Sequence, residues 1–314
     1  MTVNWGFLGA GFVASRGLAP AVHAARGAHL YAVASRDEKR SATLEPEHTH
    51  ATYDDLLADD RVDAVYISLS NSQHIEWVTK SLEAGKHVLC EKPLGLNATE
   101  TEAMFDCASR NGRTLIEAVW GRWHPRFVRI VELITTGAIG DITHIETAFT
   151  FTSEMTDNYR LNPSMGGGAL LDVGCYQAHA WVALTHGARA LTITDLARTL
   201  GPTGIDLTTD VSVRINNELT AHAVSSFALP SNQQFIVRGS HGQISTDAGE
   251  SFTTWNEASS LLVNDVREEF PVTNAFVEMV ENVSQVVSGG EGWMVPSADS
   301  IRVAQILDAI SEHP

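Results

Sequence analysis

The chain has 314 residues, long for one hydrophobic core and suited to two domains. Apolar residues make up 44% and charged residues 19%, which excludes a disordered chain, and no apolar run approaches the roughly 18 residues of a membrane span. The net charge of −17 repels polyanions, so nucleic acid and anionic lipid are excluded as partners and the charge serves solubility.

The apolar start, MTVNWGFLGAGFVASRG, lacks the basic leader of a signal peptide. VNWGFLG (3–9), LYAVAS (30–35), DAVYIS (63–68), KHVLC (86–90) and RTLIEA (113–118) are short runs rich in Val, Ile, Leu or Tyr. Strands buried on both faces read this way. Helical segments lie between them. In SQHIEWVTKSLEAGK, Ile75, Val78 and Leu82 recur at helical spacing, and Gly85 sits where a C-cap glycine belongs. Asn97 and Glu100 have capping-box spacing for a helix that carries Met104 and Phe105. This alternation predicts an α/β, doubly wound parallel sheet, whose ligands bind at the carboxyl ends of the strands.

GAGFVA (9–14) follows the first strand and opens a helix. In a G-x-G-x-x-A loop, Gly9 makes the tight turn and Gly11 admits a pyrophosphate to the backbone. Phe12 and Val13 complete the loop, and Ala14 allows close helix–strand packing. A dinucleotide is the expected ligand. The second strand ends in Ser35-Arg36, with Lys39 and Arg40 one turn on. An acid here would bond the ribose hydroxyls of NAD, whereas Ser35, Arg36 and Arg40 suit a 2′-phosphate. Asp37 is read as a helix cap. NADP(H) is therefore expected over NAD(H), with NAD as the alternative.

Beyond residue 189 the runs LTITDLA, DVSVRI, AVSSFAL, QFIVRGS and GQISTDA are separated by turn residues, the pattern of an antiparallel sheet. A helix is expected near 274–288, with Phe276, Met279, Val280, Val283 and Val287 on one side, and a last one near 297–312. The histidines of EHTH (47–50) lack a third ligand, and no metal is predicted. Cys90, Cys107 and Cys175 form neither a disulfide framework nor a CxxC pair, which points to a reducing cytoplasm.

Together with SLSNSQH (68–74), AGKHVLCEKPLGLNATE, EAVWGRWHPRF (117–127), GAIGDITHIETAFTF (137–151) and GGGALLDVGCYQAHAW (166–181), the glycine loop resembles the glucose–fructose oxidoreductase/inositol dehydrogenase family. The likeness is close over about the first 190 residues. It is nearest to the branch of dimeric dihydrodiol dehydrogenases and NADP-dependent D-xylose dehydrogenases. The resemblance implies a Rossmann-type domain at 1–120 and a substrate-binding α+β domain with a large, mainly antiparallel sheet at 121–296. It also implies a helix at 297–314 packing back toward the nucleotide domain, and a homodimer or tetramer built through the second sheet. It further implies cofactor contacts from Ser68, Ser70, Asn71, His74, Glu91, Lys92, Trp120 and Arg122. For Glu91 the contact is either the cofactor or a neighbouring loop.

Hydride transfer needs a group that moves one proton at the substrate oxygen. Pro93 keeps the chain extended at Lys92, and the resemblance places that lysine on the reacting oxygen. Asp172, Tyr176 and His179 stand at i, i+4 and i+7, one stripe of a helix. A free phenol titrates near 10, too high for a base at neutral pH, and a nearby ammonium would lower it. Tyr176 is thus the expected proton donor and acceptor, assisted by Lys92, with Asp172 bonding substrate or orienting the phenol. The polyol-oxidising members carry His and Asp where this chain has Tyr176 and His179. GGG before the stripe is read as room for a ligand at the backbone. Trp123, Arg160 and His179 are further substrate contacts, whereas Phe127 is read as packing. The expected substrate is a small sugar or diol. An aldose oxidised at C1 and a trans-dihydrodiol are the leading choices; a keto- or anhydro-sugar reduced in the opposite direction and a silent cofactor-binding sensor are the alternatives.

Overall fold

The computed structural model describes residues 1–154, 156, 158–216, 218–246 and 251–314. The chain divides into two compact units, one formed by 1–95, 99–123 and 274–297, the other by 96–98, 124–273 and 298–314.

In the first unit, β1 (Val3–Leu8), β2 (Ala28–Ala34), β3 (His48–His50), β4 (Ala64–Ile67), β5 (His87–Glu91) and β6 (Leu115–Ala118) form one parallel sheet. Its order is β3-β2-β1-β4-β5-β6. The order reverses between β1 and β4, so their carboxyl ends form the crevice where such sheets bind ligands. Four of the central strands are apolar because both faces are covered, as the runs predicted. β3 was not expected. It is a three-residue edge strand of His48, Thr49 and His50, with no apolar signature to read. Helices α1 (Ala19–Ala24), α2 (Glu38–Ala42), α3 (Tyr53–Leu57), α4 (His74–Glu83) and α5 (Ala98–Asn111) connect the strands. Gly85 has φ +76 beyond α4, as a helix stop requires.

The second unit opens with α6 (Pro125–Thr135), β7 (Ile142–Thr150) and α7 (Cys175–Leu184). Then come β8 (Leu191–Leu200), β9 (Asp206–Ile215), β10 (Leu219–Ser226), β11 (Asn232–Gly239), β12 (Gly242–Thr246), β13 (Ser259–Val263) and β14 (Val266–Phe270). The expected run 242–248 is described as far as Thr246; Asp247 and Ala248 lie outside the described residues. The eight strands are ordered β14-β13-β12-β11-β7-β10-β9-β8. Among the described residues only the β7–β10 pairing is parallel. Alternate residues such as Val211, Val213 and Ile215 point into a core shared with Ala178, Trp181 and Val182 of α7.

The last two helices, α8 (Ala275–Val287) and α9 (Ser297–Glu312), lie close to their expected spans. Although expected within 121–296, α8 belongs to the first unit. Trp5 Nε1 donates to Ser284 Oγ at 3.1 Å, and Arg26 pairs with Glu281 at 2.9 Å. The Phe276 ring lies 5.5 Å from that of Trp120. The helix expected to pack toward the nucleotide domain, α9, buries Val303, Ile306, Leu307 and Ile310 in the core of the second unit. Either helix presents an apolar stripe, and a stripe does not name the surface it covers.

Candidate functional site

The glycine loop has the geometry its sequence predicts. Gly9 has φ +98, and a Cβ there would lie 2.7 Å from the Ser68 carbonyl oxygen. Only glycine fits this turn. A Cβ on Gly11 would be 3.6 Å from Ser68 Oγ, an ordinary contact, so packing within the protein does not require that glycine. Ala14 is fully buried, Val13 is half-buried and Phe12 is 78% exposed. The helix begins with a wide π-type turn, Ala14–Leu18. Ser68 Oγ is buried and has no hydrogen-bond partner among the described residues. A buried hydroxyl without a partner is costly, and this one stands beside the glycine that needs no protein neighbour. The two observations together fit a phosphate-bearing cofactor.

At the end of β2, the Asp37 carboxylate accepts from the N–H groups of Lys39 and Arg40, capping α2 as expected. It is thus committed to the helix rather than offered to a ribose. Ser35 Oγ donates to the Asp37 carbonyl at 2.7 Å and lies 2.8 Å from Ser41 Oγ. Arg36 is exposed, while Arg40 reaches back to donate to the Ala10 carbonyl at 2.7 Å. That bond brings a guanidinium to the glycine loop.

After β4, Ser70 Oγ donates to Gln73 Oε1 at 3.0 Å, and Asn71 is buried. His74 is fully buried, with Nδ1 3.0 Å from the Pro93 carbonyl and Nε2 3.3 Å from the Leu69 carbonyl. Burial holds its pKa below the ordinary value. It ties the loop after β4 to the loop after β5.

Glu91 accepts from the Tyr66 hydroxyl at 2.7 Å. Its partner here is the adjacent strand, β4. Lys92 follows, half-buried, and the Lys92–Pro93 peptide is cis. Just beyond, Leu94 N–H donates to the buried Glu117 carboxylate at 3.1 Å. Sequence reasoning passed over Tyr66 and Glu117. Their signal was available, because each is a polar side chain inside an otherwise apolar strand. Trp120 is buried against Phe276. Arg122 sits 5.6 Å from the Trp293 ring, and Trp123 Nε1 donates to the Trp293 carbonyl at 3.2 Å. Trp123 is 5% exposed and packs edge-on against Trp293 at 5.0 Å.

In the second unit, His124 caps α6, its Nδ1 accepting from Arg126 N–H at 3.1 Å. Burial, with help from Arg126, lowers its pKa to about 4. Phe127 packs 6.3 Å from Phe235, as the packing reading held. Asp172 lies in a second π-type turn, Leu170–Gly174, and α7 starts only at Cys175. The stripe of Asp172, Tyr176 and His179 is therefore not one regular helix. Such turns often mark functional positions. Asp172 accepts from Arg160 Nε at 2.7 Å. Tyr176 is half-buried, its ring 5.8 Å from Phe149 and 6.3 Å from Phe252. His179 is buried.

The GGG run serves a different purpose from the one expected. A Cβ on Gly167 would lie 2.5 Å from the Arg160 carbonyl oxygen and 2.8 Å from that of Asn162. A Cβ on Gly168 would collide with the Asp206 carboxylate. The glycines admit the protein's own backbone and side chains. Their immediate consequence is the placement of Arg160.

Residues 3–119 match the family described as "Oxidoreductase family, NAD-binding Rossmann fold", and residues 127–245 match the "GFO/IDH/MocA C-terminal domain". The chain belongs to the Gfo/Idh/MocA oxidoreductase family. It is 33% identical to a D-xylose 1-dehydrogenase (NADP(+)) of Haloferax volcanii, over 98% of this chain and 96% of the relative. A trans-1,2-dihydrobenzene-1,2-diol dehydrogenase of Xenopus tropicalis is 27% identical over 98% and 97%. Among solved structures, a 3-ketoreductase from Actinomadura kijaniata in complex with NADP and TDP-benzene aligns with a TM-score of 0.90. It is 28% identical over 99% of this chain and 97% of that one. The family confirms the α/β fold and the dinucleotide-binding first unit. It also makes the protein an oxidoreductase of sugar-like substrates. No helix among the described residues is long and apolar enough to cross a membrane.

Proposed function

We propose that this protein is an NADP(H)-dependent oxidoreductase that acts on a small cyclic polyhydroxylated substrate, an aldose at C1 or a trans-dihydrodiol. The observation that carries the cofactor choice is the end of β2. There the Asp37 carboxylate caps α2, while Arg40 reaches to the glycine loop. Gly9, Gly11, Ser68, Ser35, Arg36 and Arg40 would hold the dinucleotide, the arginines taking the 2′-phosphate. The nicotinamide, when bound, supplies the hydride chemistry. In oxidation Tyr176 takes the hydroxyl proton as the C–H hydride leaves and the carbonyl forms. In reduction Tyr176 returns that proton to the oxygen. Lys92 donates a hydrogen bond to the same oxygen and polarises it.

A second reading reverses the direction, reducing a keto-sugar. It is supported by the 28% identical 3-ketoreductase with TM-score 0.90. The same family resemblance supports a homodimer or tetramer through the second sheet. Val224 and Ile236 stand half-buried on the face away from its core. Sedimentation of the purified protein measures that assembly.

The test of the functional reading is nicotinamide absorbance in the near ultraviolet. NADP+ is supplied with a panel of aldoses and trans-diols, and NADPH with keto-sugars, alongside fluorescence titration of NADPH and NADH. Turnover with at least one sugar or diol and tighter NADPH than NADH binding are expected. Tighter NADH binding would overturn the cofactor choice. Tight NADPH binding with no turnover in either direction would favour a silent sensor.

A further inference from the structure

Arg160 stands on a short turn, Tyr159–Leu161, that is fixed from several sides. The Asn158 side chain accepts from Arg160 N–H at 3.0 Å. Gly168 N–H donates to the Arg160 carbonyl at 2.9 Å, and Gly167 N–H to the Asn162 carbonyl at 3.0 Å. Thr203 Oγ1 donates to the Leu161 carbonyl at 2.7 Å. Gly168, at φ +119, lies against Asp206. The Asp206 carboxylate in turn accepts from Leu170 N–H at 2.8 Å and Thr209 Oγ1 at 2.7 Å. One end of this strap delivers Arg160; the other continues into the turn that carries Asp172. The Arg160–Asp172 bond closes the loop at 2.7 Å, with the Asp172 side chain 9% exposed and that of Arg160 28%.

We propose that Arg160 is a positioning residue for Tyr176: locked onto Asp172 four residues before the phenol, its guanidinium favours the ionised phenol over the neutral one and holds the group ready for proton transfer. This rests on the role given to Tyr176 above. Asp172 and His179 share the segment of Tyr176, and Arg160, bonded to Asp172, has its guanidinium over the Tyr159 ring. Asp206 is committed to Leu170 and Thr209, while Phe149 and Phe252 supply apolar walls beside the phenol. Burial works to lower the pKa of Arg160, but Asp172, Tyr159 and Tyr176 more than offset it, and the guanidinium stays firmly charged. The Asp172 bond holds that cation on the turn that runs directly into the segment carrying Tyr176.

The two members of the pair act on the phenol with opposite sign. Removing the guanidinium deletes a cation and leaves the Asp172 charge without it, so both effects favour the neutral phenol. Removing the carboxylate leaves the cation alone and favours phenolate. A residue that merely packs would give no such ordering.

The chain has five tyrosines, so NMR of protein labelled at the tyrosine ring carbon that bears the hydroxyl follows each phenol, with Tyr176→Phe assigning the signal. The titration uses the full chain without cofactor. Arg160→Gln is expected to raise the Tyr176 midpoint by about one pH unit or more. Arg160→Lys should stay close to the native value, and Asp172→Asn should lower it. The pH profile of kcat should move with these midpoints. An unmoved midpoint in Arg160→Gln, or a shift in the same direction as Asp172→Asn, overturns the assignment. If Arg160→Gln does not fold, Arg160→Lys and Asp172→Asn decide the matter by the same criterion. The titration needs no turnover. An inactive protein that shows these shifts would refute the catalytic roles above and leave the Arg160–Tyr176 coupling standing.

Discussion

Gly167→Ala puts one methyl group where the strap cannot accept it. The new Cβ would lie 2.5 Å from the Arg160 carbonyl oxygen, 2.8 Å from the Arg160 carbonyl carbon and 2.8 Å from the Asn162 carbonyl oxygen. All three atoms are backbone, so no rotamer change relieves the contact. Both carbonyl oxygens also accept strap hydrogen bonds, from Gly168 and Gly167. Relief therefore requires the Tyr159–Leu161 turn to move, and with it the Arg160 side chain that holds Asp172. Overpacking of this kind costs about 1–3 kcal/mol. For a domain of this size, about 2 kcal/mol lowers the melting temperature by roughly 4–8 °C. A displacement near 1 Å at a positioning group costs on the order of 10²-fold in rate. The assay is calorimetry of the purified variant with steady-state kinetics on the best substrate of the panel. Gly121→Ala is the stability control: a Cβ there meets nothing within 4 Å, and the change should stay within about 0.5 kcal/mol. If Gly167→Ala melted with the native protein and turned over at its rate, the account of the GGG run as the seat of Arg160 would be wrong.

Lys92→Met should leave NADPH affinity nearly unchanged while lowering kcat by about 10²–10⁴-fold, read by fluorescence titration beside initial rates. Arg40→Ala should weaken NADPH far more than NADH. Loss of one charge-assisted bond, about 1.5–3 kcal/mol, corresponds to roughly 10–150-fold in the ratio of dissociation constants. His124 is held neutral, its pKa lowered from 6.5 to about 4 by burial and Arg126. The unfolded chain binds that proton first, so stability is intact above pH 6.5 and is lost as pH falls toward 4, by up to about 3 kcal/mol. His124→Asn keeps a helix cap and should flatten that share of the pH dependence in urea denaturation; His74 and His87, shifted the same way, and the carboxylates held low by their partners add their own shares.

Much of the first unit was legible because its rules are local. The apolar runs predicted β1, β2, β4, β5 and β6 to within a few residues, and Asp37 could be read as a cap from its position alone. The edge strand β3 carries no apolar pattern, so nothing in the sequence announced it. The role of Glu91 was open because its Tyr66 partner is 25 residues away on another strand. The GGG run was misread for a related reason. Three glycines report that something approaches the backbone, and only the fold shows that it is Arg160, Asn162 and Asp206. The grouping of α8 with the first unit is longer-range still, since the chain leaves that unit at 124 and returns at 274. Lys92, Asp172 and Tyr176 could be proposed from residue type, motif and resemblance; the guanidinium beside Asp172 was named without its partner, because the strap that delivers it has no periodic signature.

The most direct measurement of the central claim is the kcat of Tyr176→Phe in the hydride-transfer assay, taken with its dissociation constant for NADPH. Phenylalanine keeps the ring against Phe149 and Phe252 and removes only the hydroxyl. The account predicts a fall in kcat of about 10²–10⁴-fold with cofactor affinity unchanged. A variant that transfers hydride at the native rate would contradict it.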